Sequence, residues 1–97
     1  MAVIEIVTFR LAPNVDEGEF VEADRRAQTE FLYKQPGLLR RTTARSVGEE
    51  WLVVTLWGSP HDVEASMAAS RDDLAVSKFT ALLDSSSITT KRYETLD

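Results

Sequence analysis

Residues 50–60 read EWLVVTLWGSP, and this stretch decides the fold. Residues 51–57 are nearly all aromatic, β-branched or aliphatic, which predicts a β-strand. Both alternating sets of side chains are largely apolar: Trp51, Val53, Thr55 and Trp57 in one, Leu52, Val54 and Leu56 in the other. Since successive side chains of a strand point to opposite faces, a strand that is apolar on both faces belongs at the centre of a sheet.

Helix and strand signals continue on both sides of this strand. Ser59 and Pro60 begin a helix over 60–69, which breaks near 70–73 and resumes over 74–83. A first helix, capped by Asn14 with Glu17 as its capping-box partner, runs to about residue 33 or 35, before Pro36 and Gly37. Strands are predicted at 3–11, 38–47 and 87–95. The order is β-α-β-β-α-β, a ferredoxin-like α+β fold in one domain, 1–97, with a four-stranded antiparallel sheet and the helices on one face.

The first strand is also apolar on both faces, with Val3, Val7 and Phe9 opposite Ile4 and Ile6. Helices can cover only one face of the sheet, so the second apolar face requires a partner. The simplest partner is a second copy with two-fold symmetry. The sequence therefore predicts a homodimer through the sheet faces.

Composition limits the other partners. The formal net charge is −5, which argues against nucleic acid, since phosphates favour a basic surface. Cysteine is absent and His61 is the only histidine, so thiolate or multi-histidine metal sites within one chain are excluded and no metal is expected. No apolar run has membrane-spanning length, and no signal peptide pattern precedes the first strand, so a cytoplasmic protein without a membrane partner is expected.

Two polar residues interrupt the apolar face of the first helix. On a helical wheel, Asp24 and Gln28 fall inside the arc formed by Phe20, Ala27 and Phe31. In one interpretation Asp24 is a catalytic base in a ligand pocket, where Gln28 binds the ligand. In the other, Asp24 forms a structural ion pair with an arginine of the first or second strand.

Other candidates follow from position. His61, in the first turn of the second helix, is either a second candidate base or only part of the helix start. Trp57 would line a pocket if its strand face meets the helices, and Arg10 and Phe31 are further candidate ligand-binding residues. Glu5, in the middle of the first strand, requires a cationic or hydroxyl partner. The arginines of the second strand are otherwise interpreted as a charged edge.

Three segments resemble a known family: QPGLLRR at 35–41, EWLVVTLWGSPHDVEA at 50–65 and KRYETL at 91–96. They are similar to the dimeric α+β barrel superfamily, in its antibiotic-biosynthesis-monooxygenase-like (ABM-like) branch. The resemblance implies a small hydrophobic or aromatic ligand between sheet and helices, and cofactor-independent monooxygenation. The alternative is a non-catalytic dimeric stress-response or accessory domain.

The resemblance does not extend to the haem-degrading branch of the superfamily. That branch has an Asn on the first strand and a Trp and a His within the second helix. Here Asn14 lies after the first strand, the second helix has no Trp, and His61 lies in its first turn. No cofactor is therefore expected.

Overall fold

Four strands and three helices follow one another in the predicted order. The computed structural model describes all 97 residues. The elements are β1 (Val3–Phe9), α1 (Glu17–Glu30), β2 (Leu38–Arg45), β3 (Trp51–Trp57), α2 (Pro60–Ser70), α3 (Leu74–Ala81) and β4 (Thr89–Glu94). Short 3₁₀ turns cover Leu32–Lys34 and Ser85–Ser87. The break between α2 and α3 is confirmed. No helix is long and apolar enough to cross a membrane.

The strands form one antiparallel sheet in the order β2-β3-β1-β4. The two strands that are apolar on both faces, β1 and β3, are central, as their sequences predict. The sheet is open, with β2 and β4 as its edges. The ferredoxin-like α+β fold is confirmed.

The helices cover the face that carries the two tryptophans. Buried side chains on this face form two separate clusters. The first contains Phe9, Phe20, Trp51 and Val53. The second contains Val3, Trp57 and Val63. The rings of Phe20 and Trp51 lie 4.7 Å apart between centroids, close enough for favourable aromatic packing.

The opposite face of the sheet has no covering layer in the single chain. Its central strands present five aliphatic side chains, each only partly buried: Ile4, Ile6, Leu52, Val54 and Leu56. We refer to this surface as the open face.

A β-bulge at Leu39 sets the orientation of β2. Leu38 pairs with Trp57 and Arg40 with Leu56, so Leu39 is the extra residue. Since one inserted residue exchanges the two faces of the strand that follows, Arg40 lies on the open face and Arg41 faces the helices. The prediction that the β2 arginines only form a charged edge is wrong for Arg41, which is buried.

Several predicted boundaries require correction. Asp16, rather than Asn14, caps α1, and its carboxylate accepts the Glu19 N–H at 3.2 Å. Asn14 instead has a φ of +67°, in the left-handed region that Asn tolerates in turns. The helix ends at Glu30 and a 3₁₀ turn follows. β1, β2 and β4 are each shorter than predicted. Ser59 caps α2, as predicted, by accepting the Asp62 N–H.

Candidate functional site

A cavity of about 190 Å³ lies between the sheet and the three helices. Its walls are mostly apolar and include the rings of Phe31, Trp57 and Phe79. Two charged side chains from the sheet, Arg41 and Glu5, also line it. We call this space the inner cavity. A larger groove of about 400 Å³ lies between α1 and α3, but it is an outer surface groove with several charged side chains in its walls. The inner cavity combines aromatic walls with few polar groups, as ligand sites commonly do.

Arg41 is the most deeply buried charge at the cavity. Its side chain is only 3% exposed, and its Nη2 donates to Asp24 Oδ1 at 2.8 Å. Its Nη1 donates to Gln28 Oε1 at 3.2 Å and to Thr43 Oγ1 at 3.3 Å. The Thr43 hydroxyl in turn donates to Asp24 Oδ1 at 3.0 Å. These contacts compensate the loss of hydration that burial of a guanidinium entails.

The polar interruption in the apolar face of α1 therefore has a structural explanation. Asp24 and Gln28 are one helical turn apart, and both reach the same guanidinium. The ion-pair interpretation of Asp24 is the one that the geometry supports, with Arg41 as the partner instead of Arg10. The two helix residues hold Arg41 in the cavity wall and do not line the cavity themselves.

The held guanidinium retains hydrogen-bonding capacity. An arginine has five N–H donors, and the three bonds of Arg41 use both Nη1 hydrogens and one Nη2 hydrogen. The Nε hydrogen and the second Nη2 hydrogen have no acceptor within the chain. The Cζ atom lies 5.7 Å from the Phe79 ring centroid, within cation–π distance. Arg41 is thus a fixed cation beside an aromatic wall, with donors available for an oxygen.

Trp57 contributes an unpaired donor. Its side chain lines the inner cavity, and the residue is 4% exposed. Its Nε1 is buried and has no hydrogen-bond partner. Buried indole N–H groups ordinarily find an acceptor, because an unpaired buried donor costs on the order of 1–3 kcal/mol.

Glu5 carries the negative charge at the cavity. Its Oε2 accepts from Arg92 Nε at 2.8 Å, and Arg92 Nη1 also donates to Glu64 Oε1 at 3.1 Å. The hydrogen bond to Glu5, with the charges of both carboxylates, raises the pKa of Arg92 above its ordinary value. Glu5 thus has the cationic partner that its position requires, and the partner lies within the same chain.

The other predicted site residues lie apart from the inner cavity. His61 is exposed at the second position of α2. Arg10 is exposed beyond the end of β1, where its backbone N–H donates to Ser87 Oγ at 2.8 Å. Of the predicted ligand-binding residues, Phe31 and Trp57 line the cavity. The catalytic roles of Asp24 and His61 stay predictions, as do the ligand contacts.

Sequence reasoning missed Arg41 as an individual residue and missed the contribution of α3. Phe79 and Val76 of α3 form part of the cavity wall, and Ser66 of α2 is a buried hydroxyl there. The only signal for Arg41 was the polar pair on α1, which called for a cation without specifying which one.

Solved structures show which proteins share this fold. SnoaB, a cofactor-independent oxygenase from Streptomyces nogalater, superimposes with a TM-score of 0.81 at 16% identity, covering 99% of this chain and 94% of that one. A candidate antibiotic biosynthesis monooxygenase from Caulobacter crescentus gives 0.80 at 15% identity, covering 99% and 91%. The chain shares the fold of these two proteins. Rv0793 from Mycobacterium tuberculosis gives 0.72 at 16% identity, covering 100% and 97%.

Sequence comparison adds no family assignment to this shared fold. No protein-family model matches the chain, and no curated protein does. In addition, no group of three or more His, Cys, Asp or Glu side chains comes together in a form that could hold a metal ion. The site must therefore be interpreted from its own residues.

Proposed function

We propose that this protein binds a small aromatic molecule in the inner cavity, with an anionic or carbonyl oxygen of the ligand at Arg41. The observation that carries the proposal is the buried Arg41 guanidinium, which lines the cavity and has two N–H groups without an acceptor. Charge-assisted hydrogen bonds from arginine to oxygen anions are among the stronger ones in proteins. The three surrounding rings favour a flat apolar body.

Ligand binding can be tested by calorimetry with benzoate and its neutral analogue benzyl alcohol. Benzoate is expected to bind the wild-type protein more tightly, and Arg41→Met is expected to remove that preference. Because Arg41→Met leaves Asp24 without its partner, the double variant Asp24→Asn/Arg41→Met serves as a second test on a charge-balanced background. Arg45→Met is the matched control, since Arg45 lies on the same face of β2 but outside the cavity.

Equal binding of benzoate to the wild-type protein and to the double variant would contradict the role of Arg41. Absence of binding by every aromatic acid, with naphthoate included as a larger probe, would contradict the ligand proposal itself.

We propose cofactor-independent oxygenation as the reaction class. The support is the fold shared with SnoaB, together with a cation beside an aromatic cavity. A cation beside a ligand oxygen stabilises negative charge on that oxygen, because opposite charges attract, and an anionic ligand is more electron-rich. Consumption of dioxygen that depends on the bound ligand, without added reductant, would support this class. Tight binding without oxygen consumption would favour the non-catalytic alternative.

We also propose that the working form is a homodimer through the open face. The support is the set of five partly exposed aliphatic side chains on β1 and β3, which a second copy of the same surface would cover. Sedimentation at micromolar concentration is expected to give twice the 10.9 kDa mass of the chain. Val54→Lys, at the centre of the open face, should give the single-chain mass, whereas Val21→Lys on α1 should not. A wild-type mass of one chain would refute the dimer.

A further inference from the structure

One row of the sheet is polar where its neighbouring rows are mostly apolar. In the register of the sheet, Arg41, Thr55, Glu5 and Arg92 lie side by side across β2, β3, β1 and β4, all on the face towards the helices. We call these four residues the polar row. The two buried apolar clusters lie on opposite sides of it along the strands. The polar row thus crosses the core at the level of the inner cavity.

The two ends of the cavity on this row have opposite hydrogen-bonding character. Arg41 offers only donors. Glu5 offers only acceptors in its ionised form. Its Oε2 is engaged by Arg92, but no group of the chain donates to its Oε1. Its side chain is 19% exposed, and it lines the same cavity as Arg41.

Both charged groups are held in place from opposite sides of the helical layer. Asp24 and Gln28 of α1 fix Arg41, whereas Glu64 of α2 fixes Arg92 and, through it, Glu5. Each group is held by its own partners and keeps hydrogen-bonding capacity that a complementary occupant would use. Their Cα atoms are separated by two inter-strand spacings, roughly 10 Å.

The volume of the cavity matches an occupant with one ring. A cavity of about 150 Å³ holds one benzene molecule. The inner cavity, at about 190 Å³, has room within its walls for one ring and its substituents.

We propose that the ligand of the inner cavity is a single aromatic ring with an acidic or carbonyl oxygen at one end, bound by Arg41, and a hydroxyl or amine donor at the other end, bound by Glu5. This inference rests on the proposed function and specifies the class of molecule. A hydroxybenzoate has this pattern. Benzoate lacks the donor, and phenol lacks the acid.

The test is calorimetric titration of the full chain with 4-hydroxybenzoate, benzoate and phenol. A hydrogen bond to a charged group is worth about tenfold or more in affinity, so 4-hydroxybenzoate should bind at least that much more tightly than benzoate. Glu5→Met should remove the advantage of the hydroxyl group. Glu5→Gln, which keeps an acceptor oxygen without the charge, should leave part of it and covers the case in which Glu5→Met does not fold.

Glu94→Gln is the matched control. It removes a carboxylate two residues along β4 from Arg92 but changes no residue of the cavity or of the polar row, so the preference for 4-hydroxybenzoate should persist. Equal binding of benzoate and 4-hydroxybenzoate, unchanged in the Glu5 variants, would overturn the inference and leave the proposed function intact.

Binding of naphthoate but of no single-ring probe would overturn the single-ring class alone. Binding of no aromatic acid of any size would overturn the proposed function together with this inference.

Discussion

Removal of the Asp24 charge tests the network that holds the site together. In Asp24→Asn, Arg41 keeps its neutral acceptors on Gln28 and Thr43 but loses its only carboxylate. Breaking a buried ion pair by removing one partner costs roughly 3–5 kcal/mol. Since Asp24 is 16% exposed and two acceptors remain, the lower value of about 3 kcal/mol applies. For a domain of this size that corresponds to a fall in melting temperature of about 12–24 °C.

The measurement is urea unfolding, followed by the fluorescence of the two buried tryptophans and by circular dichroism. The concentration of chains must be equal in all samples, because self-association would add to the apparent stability. Glu17→Gln is the control. It removes a carboxylate from an ion pair whose side chains are 51% and 54% exposed, and such pairs contribute about 1 kcal/mol at most.

A thermodynamic cycle separates the charge from the packing. Asp24→Asn/Arg41→Met replaces both members of the pair, and the double variant should be more stable than Asp24→Asn alone, because no charge is then left buried without a partner. If Asp24→Asn costs no more than Glu17→Gln, Arg41 does not depend on Asp24 and our account of the α1 polar pair is wrong.

Three further predictions concern local structure. Gly37→Ala should lower the free energy of unfolding in urea by about 1–3 kcal/mol. Gly37 has a φ of +86°, and an added Cβ would overlap the Asp62 carboxylate. The control, Gly48→Ala, should be nearly neutral. Ser59→Ala should cost about 1 kcal/mol by loss of the α2 cap, measured in the same way, and no change would show that the cap contributes nothing. The hydrogen bond from Arg25 is the main reason that the pKa of Glu22 lies below its ordinary 4.5. The ionised Glu22 carboxylate therefore stabilises the folded state above pH 4.5, and this contribution is lost as the pH falls through the lowered pKa. The difference in melting temperature between wild type and Glu22→Gln should therefore disappear on acidification, and a difference that grew instead would contradict the sign.

The sequence was sufficient for the layout of the sheet, because strand position depends on local patterns. Residues 51–57 are apolar on both faces, and this requires a central strand regardless of the rest of the chain. The cap of α2 at Ser59 could likewise be predicted from neighbouring residues. The cap of α1 could not, since Asn14 and Asp16 are both good capping residues. A left-handed turn at Asn14 determined which of them was used.

The candidate site depended on a feature that the pattern of β2 does not show. Arg40 and Arg41 are adjacent, so one must face the helices and the other must not. Leu39 is the extra residue that decides between them, and a bulge of this kind carries no clear signal when the strand contains neither glycine nor proline. Sequence reasoning could therefore predict that Asp24 requires a cation but could not select Arg41.

The division of the core by the polar row also bears on how ligand preference can change in this fold. Phe79 is the only side chain that both packs against the Phe9–Phe20–Trp51 cluster and lines the inner cavity. Substitutions at Ser66, Met67 or Val76 would reshape the cavity and leave that cluster untouched. We therefore expect substitutions at these three positions to change ligand preference at little cost to that cluster, whereas Trp57 and Val63 belong both to the second cluster and to the cavity wall.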